Sequence, residues 1–312
     1  MAEPLQPTRA MYDVLIVGGG PAGLSAALVL GRCRRRVLVC DAGAPRNAVA
    51  TALHGYLTRD GIPPLELLRV AREELQQYGV ELRALAVTDI ERRDDGFDIA
   101  VADGARERAH AVLLATGVHD DVPEVPGIAE CYGISVHHCP YCDGWEHRDG
   151  QLAVMGPGPA AAGLALSLRT WSARVVVCTG GPARLKRGQR EQLDTQQIRV
   201  REDRFERIAH ANGRVREILF AHGDAVPCDG IFFTGSQRQQ SDLPRRLGCE
   251  FTRRGTVHTD HLGETCVPGV YVVGDASRDV QFVIVAAAEG AKAGVAINRA
   301  LQARSGLTVQ SV

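Results

Sequence analysis

The feature that most restricts this 312-residue chain is a set of glycines, Gly18, Gly20 and Gly23, lying between a strand pattern and a helix pattern. Residues 12–17 (YDVLIV) are a short apolar, β-branched run of the kind that makes a buried parallel strand. The segment 21–32, opening with Pro21 and Ala22, has helical composition. In such a motif the first glycine permits the tight turn, and the second lets the backbone approach a pyrophosphate. The third allows the helix to pack closely on the strand. The helix N-terminus then offers free N–H groups and the positive end of its dipole to an anion. A second strand pattern, 36–40 (RVLVC), ends at Asp41, where a carboxylate can accept hydrogen bonds from a ribose. Strand, glycines, helix, strand and acid in this order predict a dinucleotide-binding βαβ unit. The alternative is a glycine-rich turn without a ligand.

The same pattern begins again at residue 151. Residues 152–155 are strand-like, Gly156, Gly158 and Ala161 fit G-x-G-x-x-A, 164–170 are helical and 174–178 are strand-like. Pro157 and Pro159 flank Gly158 and remove two N–H donors, so a vestigial element competes here with a nucleotide site. Between the repeats, 64–78 carries Leu65, Leu68, Val70, Leu75 and Tyr78 along one amphipathic helix. Alternating runs at 80–91 and 97–103, joined through Asp94-Asp95-Gly96, predict an antiparallel hairpin or meander. The run 111–115 leads into Thr116-Gly117, and 118–134 is the connection between the units. A late strand, 269–275, ends in Gly274-Asp275, and an Ala-rich helix spans 284–303. The expected fold is α/β, with two Rossmann-like three-layer βαβ domains and a last segment that returns to the first.

Composition narrows the function. Lys and Arg number 36 against 37 Asp and Glu, which argues against a nucleic-acid binder working by bulk charge and against a polybasic membrane anchor. No apolar run approaches the roughly 20 residues that cross a bilayer. The first ten residues, MAEPLQPTRA, lack the apolar core of a secretory signal, so the expected location is cytoplasmic. Only Lys186 and Lys292 are lysines, which leaves little scope for Schiff-base chemistry.

Seven of the nine cysteines are scattered singly, which is not the pattern of a secreted disulfide scaffold. Cys139 and Cys142, in Cys139-Pro140-Tyr141-Cys142, are the exception. Two intervening residues suit a reversible disulfide at the start of a helical turn, where the dipole stabilises a thiolate at neutral pH. A structural zinc site needs a second ligand pair at suitable spacing, and none of the other cysteines forms one, so no metal is expected. An inert buried pair and a non-enzymatic redox sensor remain as alternatives. His138 is a candidate base for the thiol, on the ordinary pKa of imidazole. His137 is read as structural, and Trp145 either covers a cofactor or fills the core.

The ordered set Gly18-Gly19-Gly20-Pro21-Ala22-Gly23, Ala115-Thr116-Gly117, Cys139-Pro140-Tyr141-Cys142-Asp143-Gly144, Gly156-x-Gly158-x-x-Ala161 and Gly274-Asp275 resembles the low-molecular-weight thioredoxin reductases. These are flavoproteins of the pyridine nucleotide–disulfide oxidoreductase class, and the resemblance runs from about residue 12 to about residue 303. It implies that the first glycine loop and Asp41 hold FAD, that Asp275 meets the ribityl-phosphate region, and that Gln281 lies near the isoalloxazine. It further implies that Cys142 faces the flavin, that Cys139 exchanges with substrate, and that Asp143 gives or takes the proton. The implied domains are 1–118 with 246–312 for FAD, and 119–245 as an NAD(P)-binding-like domain carrying the cysteines. The resemblance also implies a homodimer whose two domains rotate, with a thioredoxin-like protein or a small disulfide as substrate. Specificity would reside in the loops around 44–63 and 132–149.

Two departures qualify this. NADPH-using members carry a His-Arg-Arg-x-x-x-Arg motif after the second nucleotide strand, whereas this chain reads Thr179-Gly180-Gly181-Pro182-Ala183-Arg184-Leu185. The paired guanidiniums that grip a 2′-phosphate are absent, which puts a preference for NADPH in doubt. Gly163-Leu164 likewise replaces the usual acidic pair. The stretch His138 to Cys142 also resembles FAD-dependent dithiol oxidases, which close small-molecule dithiols and pass the electrons to dioxygen. Asp143 stands where several of those carry histidine. Divergent flavoprotein reductases fed by ferredoxin or another donor form a third branch.

Overall fold

A computed structural model describes residues 11–278 and 280–307. The first ten residues, read above for a signal, lie outside the described residues. The chain divides into two compact units. One comprises Met1–Arg46, Leu65–His119 and Arg238–Val312, the other Asn47–Pro64 and Asp120–Gln237.

The first unit is built on a seven-stranded sheet. Tyr12–Val17 lies in its middle, parallel to Val37–Cys40 on one side and to Arg106–Leu114 on the other. Val270–Val272 returns from the far end of the chain and pairs in parallel with residues 112–114. Alternation along the first strand sorts its side chains. Val14 and Ile16 face a core with Ala26, Leu30, Ala293 and Ile297 from the helices Pro21–Arg32 and Val283–Arg304. Leu15 and Val17 face a second core, covered by Phe97 and Ile99 together with Leu243 and Val257, and Tyr12 at the start of the strand also joins it. The run expected as one piece at 80–91 is divided. Glu81–Arg83 joins the parallel edge beside Val37–Cys40, while Val87–Arg93 enters an antiparallel meander with Gly96–Val101 and Arg106–Leu114.

The second unit repeats the plan with a five-stranded parallel sheet. Gln151–Met155 is flanked by Arg174–Cys178 and by Gly230–Phe233, and Val136–His137 forms one edge. Ala161, Ala162, Ala165 and Leu168 of the helix Gly158–Leu168 pack on one face with Leu193. Ile208, Val215, Ile218 and Phe220 of an antiparallel meander cover the other. That meander has no counterpart in the sequence reading, and neither has the helix Arg187–Thr195. That helix carries a single large apolar residue, Leu193, so no hydrophobic repeat marks it in the sequence.

The small-residue positions have a steric reason. A Cβ on Gly290 would sit 2.0 Å from the backbone oxygen of Ala22, so the helices Pro21–Arg32 and Val283–Arg304 touch backbone to backbone there. We therefore expect Gly290→Val to destabilise the first unit by about 3 kcal/mol. The thermal midpoint followed by circular dichroism should fall clearly below that of wild type.

Candidate active site

The residues singled out in the sequence fall into two groups, one in each unit. In the first unit, Gly18 (φ 106°) makes its turn hard against the strand 106–114, since a Cβ there would lie 2.3 Å from the Ala115 oxygen. A Cβ on Gly23 would lie 2.0 Å from the Gly18 oxygen, which is the close packing that glycine allows. Gly20, the N-cap of the helix Pro21–Arg32, has open space around its Cβ position. Among the described residues nothing accepts the N–H of Gly19 or Gly20. The hydroxyl of Thr116 beside this loop is buried and makes no hydrogen bond.

Asp41 follows the second strand and pairs with Arg72 at 2.8 Å. Asp275, far along the chain, lies in a short turn, Gly274–Ala276, whose glycine packs near Ala22, and it meets Arg46 at 2.8 Å. Arg46 also donates to the Gln281 side-chain oxygen at 2.6 Å. Gly274 donates its N–H to Glu289, and Gly117 (φ 70°) sits in open space. Open glycine N–H donors, a helix N-terminus, an orphaned buried hydroxyl and a carboxylate after the second strand suit a dinucleotide such as FAD. Arg46 is the residue of this group that the sequence reading missed, because no local pattern marks a lone arginine in a loop.

The second glycine loop differs in its free donors. Gly156 (φ 137°) is pressed against Thr234, and its N–H goes to Cys178. The Gly158 N–H is taken by the Ala183 carbonyl at 2.7 Å, and Pro157 and Pro159 have none. Ala161, in the first turn of the helix Gly158–Leu168, is fully buried. Of the nearby cations, Arg187 pairs with Glu191, Arg190 with Glu202, and Arg201 with Asp203.

The cysteines lie in the second unit, where the edge strand Val136–His137 runs into a one-turn helix, Pro140–Asp143. Cys139 is the N-cap and is disulfide-bonded to Cys142, with Cα atoms 5.3 Å apart. Its Sγ accepts the Cys142 N–H at 3.2 Å. Both cysteines are half-buried. Gly144 is required by the turn, for a Cβ there would meet the Trp171 indole at 2.7 Å. Trp171 in turn takes the Tyr141 ring edge-on. Trp145 fills no core: it is 65% exposed, with the Arg148 guanidinium over its ring.

The two histidines part company. His138 turns away to Asp120, at 4.0 Å, and to the ring of Phe233. His137, expected to be structural, is the one that reaches Asp143: its Nδ1 lies 3.2 Å from Oδ1. Its other nitrogen, Nε2, lies 2.9 Å from Nε2 of His147, a residue the sequence reading did not single out. The reason is strand register. Residue 137 points into the sheet against Phe232 of the neighbouring strand, and residue 138 points the opposite way. Burial, reinforced by His137, lowers the His147 pKa to about 4. Among the described residues no group of three or more His, Cys, Asp or Glu is placed to hold a metal ion.

The comparisons with known proteins agree with this geometry. Residues 12–290 match the pyridine nucleotide-disulphide oxidoreductase family, and the chain belongs to it. Within that family it is thioredoxin reductase-like. A probable thioredoxin reductase of Arthroderma benhamiae is 31% identical, over 88% of this chain and 76% of that protein. The crystal structure of a putative thioredoxin reductase TrxB from Bacillus anthracis superposes with a TM-score of 0.89 at 31% identity, covering 94% of this chain and 99% of that one. The crystal structure of HlmI superposes with a TM-score of 0.90 at 37% identity, covering 95% and 94%. The chain is accordingly a flavoprotein disulfide oxidoreductase of the thioredoxin reductase type, and the family works with FAD and a pyridine nucleotide.

Two measurements check this site. Burial raises the thiol pKa of Cys40 to about 11 and of Cys178 to about 12, and raises Cys131, Cys228 and Cys249 as well. Iodoacetamide at pH 8 should therefore label only the exposed Cys33 and Cys266 in the native protein, and Cys139 and Cys142 in addition after dithiothreitol, as read by peptide mass. The second concerns acid. Because the folded His147 pKa lies below that of a free histidine, the unfolded chain takes the proton first. Its contribution to stability is complete above about pH 6.5 and is lost as the pH falls towards 4. His147→Phe should lower the thermal midpoint less over that interval than wild type does.

Proposed function

We propose that the chain carries two electrons between a flavin and a disulfide, with Cys139 and Cys142 as the intermediate carrier and NAD(P)H as the source. One observation carries the reading: a disulfide seated at the cap of a helical turn, half-accessible, with a carboxylate of the same turn held by a buried histidine. Bound FAD would supply the two-electron carrier. Gly18, Gly20, Pro21, Ala22 and Gly23 would cradle its pyrophosphate and Asp41 its ribose. Ala115, Thr116, Gly117, Gly274, Asp275 and Gln281 would line the remainder. The Thr116 hydroxyl is the strongest of these assignments, because a buried hydroxyl without a partner costs free energy until something bonds to it.

In the proposed exchange Cys139 attacks, or is attacked by, the substrate sulfur, and Cys142 closes the disulfide behind it. Asp143 moves the proton. The substrate is a thioredoxin-like protein or a small disulfide, a class supported by the names of the relatives. On this reading the protein works as a cytoplasmic homodimer, as the family resemblance implies.

A second reading has one observation in its favour. With the Gly158 N–H already bonded to Ala183 and prolines on either side, the second glycine loop has fewer donors to offer a pyrophosphate than the first. Gly156, Gly158 and Ala161 would then be inherited architecture. The electrons would run from a substrate dithiol to dioxygen, or come from a donor other than a nicotinamide.

Anaerobic mixing with NADH and with NADPH separates the two. Flavin bleaching within seconds is the expected result, and slow or absent bleaching, with peroxide formed from a dithiol in air, would favour the oxidase. Cys139→Ser should lower turnover about 1000-fold or more while FAD stays bound at wild-type stoichiometry.

A further inference from the structure

Arg46 ends the first stretch of the first unit, and its side chain is largely buried, at 16% exposure. One of its nitrogens, Nη1, serves two acceptors: Asp275 Oδ2 at 2.8 Å and Gln281 Oε1 at 2.6 Å. A guanidinium only donates. The atom of Gln281 that it touches is therefore the amide oxygen, and the amide NH2 is turned away from Arg46. That NH2 reaches the Arg278 carbonyl at 3.5 Å, the outer limit of a hydrogen bond. Half a turn about the last side-chain bond would exchange the two ends of the amide. Here it would set donor against donor and forfeit a charge-assisted bond, so Arg46 fixes the orientation. The turn beneath is held from its other side, because the Glu289 carboxylate accepts both the Gly274 N–H and the Arg278 guanidinium. Two guanidiniums thus face two carboxylates, with the Gln281 amide between them and the N-cap Phe282 of the helix Val283–Arg304.

We propose that Arg46 is a positioning residue that decides which end of the Gln281 amide is offered to FAD, and thereby how readily the bound flavin takes electrons. The inference rests on the reading of Gly274, Asp275 and Gln281 as part of the flavin site. It adds the direction of the amide, which residue type and position do not give. Two-electron reduction adds electron density to an isoalloxazine, so an N–H donor favours the reduced form and a carbonyl oxygen disfavours it. Asp275 balances the charge of Arg46 and holds the guanidinium in place, so the pair acts through the amide and not as a free cation. Arg46 needs no contact with the cofactor to do this.

The test is an anaerobic redox titration of the FAD-loaded, full-length protein against a reference dye, read by flavin absorbance. It compares wild type, Arg46→Met, Arg46→Lys, Gln281→Leu and the double variant Arg46→Met with Gln281→Leu. Methionine frees the amide to turn. The reduced flavin should then become about tenfold less favoured, a fall of about 30 mV in the midpoint of a two-electron couple. Lysine, which also donates, should recover most of that fall. In the Gln281→Leu background the same Arg46→Met change should move the equilibrium less than about threefold, because no amide remains to be directed. A midpoint unchanged in Arg46→Met, or an equal shift with and without Gln281, overturns the proposal. Should Arg46→Met fail to fold or to hold FAD, Gln281→Glu decides. A carboxylate at 281 has no donor end whichever way it turns, so the midpoint should fall by at least as much, and an unchanged midpoint overturns the proposal. Wild-type protein that takes up no FAD would remove the reading of the flavin site itself. FAD bound at one per chain, with an unshifted Arg46→Met, would remove the role of Arg46 alone.

Discussion

Close approach of backbone to backbone, permitted by missing side chains, is the constraint on which the first unit depends. Gly23 lets its helix rest on the turn at Gly18, and Gly290 lets the last helix rest on Ala22 of the first. The last helix reaches that position because the strand Val270–Val272 adds in parallel beside residues 112–114. A larger residue at any of these points would lift a helix off the sheet and expose the apolar face formed by Val14, Ile16, Leu30 and Ile297. The same element leaves helix N–H groups open at Gly20, so the turn that holds the fold together also presents the positive end of a helix dipole.

In the second unit the parallel sheet does a different task. It places an edge strand so that its last residue, His137, points at Phe232 and lies beside the turn that carries the cysteines. The cysteine spacing alone makes a disulfide feasible. The sheet adds a buried imidazole beside the only carboxylate of that helical turn. Gly144 and Gly230 keep room for Trp171 and His147, respectively, at the two ends of this arrangement.

Much of the architecture was legible in local pattern. The runs YDVLIV and RVLVC, the glycines after the first, and the repeat at 151 are short-range signals, and each became the parallel strand or helix expected of it. The helix expected at 64–78 runs Pro64–Gln76, and the one at 284–303 runs Val283–Arg304. The meander of residues 205–227 was not legible, because its strands alternate irregularly and one pairing is bulged. Nor was the assignment of Asn47–Pro64 to the second unit, since contacts distant in sequence decide it.

The divide at the site has the same cause. The identity of the cysteines, the carboxylate beside them and the glycine loops follow from residue type and spacing, which are properties of the chain read in order. Which of two adjacent histidines meets Asp143 does not. Neighbouring residues on a strand point to opposite faces, and only the register against Gly230–Phe233 sets which face looks into the sheet. Likewise the occupied Gly158 N–H depends on Ala183, and the neutrality of His147 on its burial beside His137. Sequence determined the chemistry available to this protein; tertiary structure decided which groups meet, because a hydrogen bond requires atoms within about 3 Å of each other.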